Sequence, residues 1–149
     1  MRRGPHRAPH RAAVIGMNGM KVCVFGAGAV GGHLATRLAK GGADVSVVVR
    51  GANLDAIRAR GLTTRALDGE HHVRVRATGD STELGPQDAV LVTVKAQTQP
   101  AIADSIRPLL GPQTFVAFVM NGIPWWYFDR HGGPLDGSRL PELDAGEAI

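Results

Sequence analysis

A glycine pattern between two apolar runs constrains the fold of this chain more than any other feature. Residues 21–38 read KVCVFGAGAVGGHLATRL, in which Gly26, Gly28 and Gly31 have the spacing G-x-G-x-x-G. The run at 21–25 is short, apolar and rich in Val, which predicts a parallel strand covered on both faces. The chain is therefore expected to leave a buried strand through a tight glycine turn.

A helix and a second strand are predicted after this turn. Val30, Leu34 and Leu38 recur every fourth residue, which predicts a helix with one apolar face. The glycine pair at 41–42 suits the end of that helix, and the β-branched segment 44–50 predicts the second strand. Strand, turn, helix and strand together form a βαβ unit of about thirty residues with a right-handed crossover.

The rest of the chain repeats this alternation loosely. Helices are predicted at 52–61 and 97–110, the second with Pro100 in its first turn, and strands at 62–66, 71–78, 88–95 and 114–122, with a turn at Asp68-Gly69 inside a hairpin. Strands that alternate with helices indicate an α/β domain. The predicted fold class is a Rossmann-type, doubly wound α/β domain with a mainly parallel sheet.

The chain has 149 residues, which suits one domain, and its amino-acid composition changes twice along the sequence. Residues 1–19 carry four arginines, two prolines and no acid, and they are predicted to form a disordered basic extension in which Met17 is a candidate internal start. Residues 20–123 form the predicted Rossmann domain, and Met20 is a second candidate start. Residues 124–149 begin with aromatic residues and continue with Gly, Pro and acids, and we interpret them as a connecting segment whose aromatic side chains need a surface to pack against.

The formal net charge of +4 belongs to the basic extension, because the other 13 lysines and arginines balance all 13 acids. Nucleic-acid binding is one interpretation of the extension, and an unstructured segment without a partner is the other. We favour the second, because a few arginines alone give weak, salt-sensitive binding. No nucleic-acid partner is therefore predicted.

The composition also argues against metal and membrane partners. Cys23 is the single cysteine and falls in an apolar strand, which predicts a buried structural thiol and excludes an intrachain disulfide. His71 and His72 have no third ligand at metal spacing, and no apolar stretch reaches the length of a membrane span. Without a signal-peptide pattern either, the predicted location is the cytoplasm.

The G-x-G-x-x-G motif fits a dinucleotide because each glycine has a separate task. Gly26 would permit the tight turn, Gly28 the approach of a pyrophosphate, and Gly31 the close packing of helix on strand. The helix N-terminus adds unpaired N–H groups and a partial positive charge. The predicted pyrophosphate site consists of Gly26, Ala27, Gly28, Ala29, Val30 and Gly31. The alternative is a glycine turn that binds nothing.

The end of the second strand indicates which dinucleotide would bind. An NAD site usually has Asp or Glu about twenty residues beyond the glycines, to accept a hydrogen bond from the ribose 2′-hydroxyl. Here the strand ends in Arg50, and the next acid is Asp55. A guanidinium can pair with a 2′-phosphate, so the predicted cofactor is NADP(H). The alternative is that Arg50 is a solvated strand-end residue.

Two more polar residues follow apolar strands. Lys95 closes the predicted strand 88–95, and Asn121 follows the apolar run of the next strand. Ligands in open α/β sheets bind beyond the carboxyl ends of the strands. We therefore expect both side chains on the cofactor side, although each alone would more often be an ordinary strand-end residue.

Four features together resemble the ketopantoate reductase family, also called the 2-dehydropantoate 2-reductases. They are GAGAVGG at 26–32, Arg50, VTVKAQ at 92–97 and MNGI at 120–123, and the resemblance runs from about Lys21 to the last residue. The resemblance implies an amino-terminal NADP-binding Rossmann domain, a carboxy-terminal all-helical domain and an active site in the cleft between them.

The resemblance also implies an enzymatic reaction. NADPH would reduce the ketone of 2-dehydropantoate to pantoate, which leads to pantothenate and coenzyme A. Glycines 26–31 would hold the pyrophosphate and Arg50 the 2′-phosphate. Lys95 would lie near the nicotinamide ribose and the substrate, and Asn121 would contact both cofactor and substrate, which makes these two the catalytic candidates.

The sequence departs from the family pattern in two places. After Asn121-Gly122 it reads IPWWYF, where the best-studied form has small residues, so a related 2-keto acid is also a candidate substrate. The resemblance implies a proton-donating lysine in the helical domain, and this chain stops at Ile149, so no general acid is predicted and residues 124–149 are interpreted as a linker towards a missing helical domain. The alternative function is a catalytically incomplete NADP-binding module or truncated gene product, alone or paired with a helical chain. Exposed tryptophans also favour a homo-oligomer.

Overall fold

The computed structural model describes residues 17–143, which form one parallel sheet, a separate hairpin and three α-helices. In chain order the elements are β1 Lys21–Phe25, α1 Ala29–Lys40, β2 Asp44–Val48, α2 Ala52–Arg60, β3 Leu62–Ala66, β4 Gly69–Val73, β5 Arg76–Thr78, β6 Ala89–Val92, α3 Ala103–Ile106 and β7 Phe115–Phe118. Short 3₁₀ turns occupy Ser81–Glu83, Ala96–Thr98, Pro100–Ile102 and Arg107–Leu109. None of the helices in the described part is long and apolar enough to cross a membrane.

The main sheet has the strand order β5-β2-β1-β6-β7, and every neighbouring pair is parallel. From the central β1 the chain builds outward through β2 and β5, then returns to the other side of β1 to add β6 and β7. The order therefore reverses between β1 and β6, at the place where open α/β sheets bind ligands. The predicted Rossmann-type fold is confirmed, and residues 17–143 contain no all-helical domain.

The centre of the sheet, in β1, β2 and β6, is buried on both faces, as the apolar runs predicted, whereas the edge strand β7 is only partly covered and its Phe115 is 65% exposed. Successive side chains of β1 point to opposite faces, so Val22 and Val24 join one apolar layer and Cys23 and Phe25 join the other. All four side chains are almost completely buried. Burying one such side chain contributes about 1.5–3 kcal/mol, so β1 is the centre of the domain's packing.

The predicted apolar face of α1 is wrong at Val30 and correct at Leu38, which packs against the first apolar layer. The fully buried positions are the small residues Gly31, Gly32, Ala35 and Thr36, whereas Val30 is 54% exposed. Small residues let the helix lie close to the strand ends, and the Thr36 hydroxyl is satisfied because it donates to the Gly32 carbonyl at 2.8 Å. Proximity of the backbones, which hydrophobic periodicity does not report, therefore decides which face is buried.

The predicted strand 71–78 is also wrong, because it is two strands in two different sheets. β4 pairs antiparallel with β3 in the hairpin, whereas β5 pairs parallel with β2 in the main sheet. Val73 and Val75 both pack against the first apolar layer, so the alternating pattern continues through the break and hides it. β4 also begins at Gly69, so the turn falls one residue earlier than predicted.

Other predicted elements are shorter than expected, among them the strand predicted at 114–122, which is observed only at Phe115–Phe118. The segment 97–110 is a series of 3₁₀ turns with the single-turn helix α3, because Pro100 and Pro108 lack the N–H that a continuous helix needs. The strand predicted at 88–95 ends at Val92. Lys95 therefore does not close that strand; it lies three residues beyond it, at the start of a 3₁₀ turn.

The hairpin is attached to α1 by polar contacts. Thr36 and Thr64 hydroxyls lie 2.9 Å apart. The Arg37 guanidinium donates two hydrogen bonds to the carboxylate of Asp68, at 2.7 and 2.5 Å, and His71 lies 3.0 Å from the same carboxylate. The hairpin is therefore held against α1, and its Leu62 and Val73 also pack with the first apolar layer.

The described residues begin and end outside the predicted Rossmann boundaries of 20–123. Met17 packs against the first apolar layer, and Gly19 donates to the Gly42 carbonyl at 3.3 Å. After β7, the rings of Trp125 and Trp126 contact Phe118, with centroids 6.4 and 5.1 Å from it. Residues 1–16 and 144–149, which include most of the predicted basic extension and the end of the predicted linker, lie outside the described residues.

Candidate dinucleotide site

The three motif glycines occupy three different environments. Gly26 has φ +99°, and its N–H donates to Val48 at 2.9 Å, which ties the turn to β2. A Cβ at Gly31 would collide with the Gly26 carbonyl oxygen, whereas a Cβ at Gly28 would meet nothing within 4 Å. The turn therefore packs tightly beneath Gly26 and Gly31 and is open to solvent at Gly28, which is the arrangement a phosphate group requires.

The first turn of α1 is free to face an anion. Gly28 is its N-cap, makes no side-chain capping bond, and is followed by no acidic residue in the first turn. The first N–H groups of a helix have no partner within it, and those of Ala29, Val30 and Gly31 occupy these positions. Their partial positive charge is therefore uncompensated by a local carboxylate.

A cleft of about 550 Å³ lies beside this turn at the carboxyl ends of β6 and β7. Its lining includes Val30, Thr93, Lys95, Gln97, Met120 and Asn121. The structure therefore brings together three of the residues singled out from the sequence, although Val30 is separated from Asn121 by ninety positions in the chain. The loops after two neighbouring parallel strands deliver the lysine and the amide to one cavity.

Arg50 lies apart from this cleft. It is exposed two residues beyond the end of β2 and directly precedes Gly51, the N-cap of α2. Because β2 neighbours β1 in the sheet, Arg50 stands one strand away from the glycine turn on the same edge. Arg58 has another task, since its Nε donates to the Ala77 carbonyl at 3.0 Å and ties α2 to β5.

Sequence reasoning did not single out two polar residues at this edge. Thr93 lines the cleft, and its hydroxyl contacts the carbonyl oxygens of Phe25 and Gly26. Gln99 is 2% exposed, and its amide lies 3.2 Å from the Met120 sulfur. The position of Thr93, directly after a buried strand at the point where strand order reverses, was the available signal.

Cys23 is confirmed as a buried structural thiol. It is fully buried in β1 and unpaired, and burial raises the pKa of its thiol to about 11. A nucleophilic cysteine would need a lowered pKa, so this thiol is inert. Among residues 17–143, no group of three or more His, Cys, Asp or Glu side chains is arranged to hold a metal ion.

The reversed strand order, the glycine turn and the adjoining cleft define the class of protein as a Rossmann-type domain of the dinucleotide-binding kind. The family model described as "Ketopantoate reductase PanE/ApbA" matches residues 22–124. The chain belongs to the ketopantoate reductase family, whose members are NAD(P)-dependent oxidoreductases.

Individual relatives give the same assignment. A 2-dehydropantoate 2-reductase of Mesorhizobium japonicum is 49% identical over 131 residues, which are 87% of this chain and 40% of that relative. A solved protein of Ralstonia solanacearum MolK2 assigned as a ketopantoate reductase superposes with a TM-score of 0.81 at 45% identity, over 89% of this chain and 42% of that one. A ketopantoate reductase of Ralstonia eutropha JMP134 has a TM-score of 0.65 at 33% identity, over 70% of this chain and 35% of that one. The chain thus spans about two fifths of the length of the Mesorhizobium relative and of the Ralstonia solanacearum protein.

Proposed function

We propose that this chain supplies the cofactor half of the site for NADPH-dependent reduction of 2-dehydropantoate, or a related 2-keto acid, to pantoate in pantothenate biosynthesis. One observation carries the proposal: the open face of the glycine turn and the cleft containing Lys95 and Asn121 adjoin at the strand-order reversal. The names of the family and of its relatives support the substrate class.

The residues present fit a dinucleotide. A pyrophosphate would lie against the exposed backbone at Gly28, where no atom occupies the space that a Cβ would fill. Arg50, one strand away, would pair with a 2′-phosphate. The sequence after Arg50 continues Gly-Ala-Asn, without a second basic residue directly beside it, so we expect the preference for NADPH over NADH to depend on this guanidinium.

The cleft offers hydrogen-bond donors for a carbonyl substrate. Reduction of a ketone to an alcohol takes up one hydride and one proton, and bound NADPH would supply the hydride. The Lys95 ammonium and the Asn121 amide can donate to the ketone oxygen and stabilise its developing negative charge. The family resemblance assigns the proton to a lysine of the helical domain, so these two residues would bind and orient without supplying a general acid.

A second function is a nucleotide-binding module without turnover. The chain spans two fifths of its relatives, and residues 124–149 would link it to a helical domain carried elsewhere. A separate helical chain or a homo-oligomer would be its partner. The cytoplasmic location stays a prediction, with which the unpaired, buried Cys23 is consistent.

Calorimetric titration of the 149-residue chain with NADPH and with NADH tests the proposal. We expect saturable NADPH binding with a Kd in the micromolar range, about −8 kcal/mol, and weaker NADH binding. Absence of saturable binding by either coenzyme would overturn the cofactor assignment. NADPH oxidation in the presence of 2-dehydropantoate then separates the two functions, because turnover supports the enzyme and binding without turnover supports the module.

A further inference from the structure

We infer that Thr93 is a positioning residue that orients the phosphate-binding turn, an inference that rests on the proposed cofactor function. Thr93 is the first residue after β6, and β6 lies beside β1 across the strand-order reversal. Its N–H donates to the Phe25 carbonyl at 3.0 Å. Its hydroxyl lies 3.2 Å from the same oxygen and makes a short hydrogen bond to the carbonyl of Gly26.

The bond to Gly26 fixes one peptide plane of the turn. A trans peptide is planar, and its C=O and N–H point in opposite directions. With the Gly26 carbonyl held towards Thr93, the N–H of Ala27 is turned to the opposite side, away from β6. The carbonyl, which carries partial negative charge, is thereby kept from the phosphate position, and an N–H donor is offered instead.

The same hydroxyl fixes the distance between the turn and α1. A Cβ at Gly31 would collide with both the Gly26 carbonyl oxygen and the Thr93 Oγ1. These three groups therefore meet in a space that only a glycine leaves open. Thr93 joins the end of β6, the glycine turn and the first turn of α1 into one unit, while it also lines the cleft.

The hydroxyl, and not the size of the side chain, carries this role. Valine has the shape of threonine but places a methyl group against two carbonyl oxygens, which leaves the Gly26 carbonyl without this donor. Serine keeps the donor and loses only the methyl group. A threonine that merely filled space would be replaced better by valine than by serine, so the two substitutions give opposite expectations.

The test compares two ligands in calorimetric titrations. NADPH contains the pyrophosphate, whereas adenosine 2′-monophosphate carries the 2′-phosphate alone. We expect Thr93→Val to weaken NADPH binding about tenfold or more, the loss of about one hydrogen bond to the phosphate site, and to leave adenosine 2′-monophosphate binding within about twofold. Thr93→Ser should bind NADPH within about threefold of the original chain.

Three results would overturn the inference: Thr93→Val binding NADPH as tightly as the original chain, equal losses for both ligands, or a serine variant as weak as the valine variant. Circular dichroism melting checks folding. If the valine variant does not fold, Thr93→Ala and Thr93→Ser, which differ in the hydroxyl alone, give the same comparison. Failure of the unmodified chain to bind NADPH would instead remove the proposed function itself.

Discussion

Arg50 is the residue on which the choice of cofactor depends. It is exposed at the end of β2, so its removal should not disturb packing. We expect Arg50→Ala to weaken NADPH binding by about 1.5–3 kcal/mol, the usual contribution of a hydrogen bond to a charged group, which is roughly 10- to 100-fold. NADH lacks the 2′-phosphate, so the affinity for NADH should fall by about twofold or less. Calorimetric titration of both coenzymes measures the difference.

The matched control for this experiment is Arg60→Ala, which removes an exposed arginine from the end of α2. It should change neither affinity. Equal losses of NADPH and NADH binding in Arg50→Ala would mean that the guanidinium does not contact the 2′-phosphate.

A substitution at Gly28 is expected to weaken cofactor binding without destabilising the fold. Its φ of −72° suits any residue, and a Cβ there would meet nothing within 4 Å. The free energy of unfolding of Gly28→Ala should therefore lie within about 1 kcal/mol of that of the original chain, a difference typical of an N-cap change. Its NADPH affinity should fall at least about tenfold, because the methyl group would occupy the approach of the phosphate.

Urea denaturation and calorimetry together test this separation. Gly32→Ala is the control, since its Cβ would lie 3.9 Å from the Ala27 oxygen in ordinary contact, and it should preserve both properties. Unchanged NADPH affinity in Gly28→Ala would show that the phosphate lies elsewhere.

Among the elements, the hairpin is attached to α1 partly through an ion pair. The Arg37 guanidinium, and then His71, hydrogen bond to Asp68 and hold the pKa of that carboxyl well below its usual range. Because the unfolded chain has the ordinary pKa near 4, it binds more protons than the folded chain below that pH. The contribution of the Asp68 carboxylate to the stability of the folded chain is therefore present at neutral pH and is lost progressively as the pH falls below about 4.

Asp68→Asn should therefore lower the unfolding temperature at pH 7, and the difference from the original chain should shrink as the pH falls from about 4 towards 2. Melting curves at several pH values measure it. Glu70→Gln is the control, because its partner Arg65 is 87% exposed whereas Arg37 is 37% exposed, and a pair with so exposed a partner contributes little. A difference for Asp68→Asn that did not depend on pH would exclude the carboxylate as its cause.

At the scale of the whole molecule, the domain should be independent of the first sixteen residues. Met17 packs against the first apolar layer, so we expect deletion of residues 1–16 to change the unfolding temperature by no more than about 2 °C, less than 1 kcal/mol. NADPH affinity should be unchanged in calorimetry. Met17→Ala in the full chain is the contrast, because it removes packing and should lower stability by about 1–3 kcal/mol.

The same deletion tests the alternative for the basic extension. Four arginines would give only weak DNA or RNA binding at about 150 mM salt, so no complex is expected in an electrophoretic shift assay. A complex that formed with the full chain and disappeared on deletion would favour a nucleic-acid role.

The sequence predicted those parts of the fold that local patterns determine. The glycine motif, the buried β1 and the polar groups beyond β6 and β7 were each visible in a few consecutive residues, and the family resemblance joined them. The buried face of α1 could not be read from the sequence in this way, because it depends on how closely the backbones approach at Gly31. Thr93 was missed for a similar reason: its partners, Phe25 and Gly26, are distant in sequence, and only the parallel pairing of β1 with β6 brings them together.

The contact between Thr93 and Gly26 joins positions 67 residues apart, and this separation bears on how the protein is made. During synthesis, β1, α1, β2, the hairpin and β5 all emerge before β6, so the nascent chain has the complete glycine motif but only one wall of its pocket. If the proposed site is correct, we expect the coenzyme to bind only after β6 has paired with β1. It would then stabilise the finished sheet by mass action and raise the melting temperature as its concentration rises.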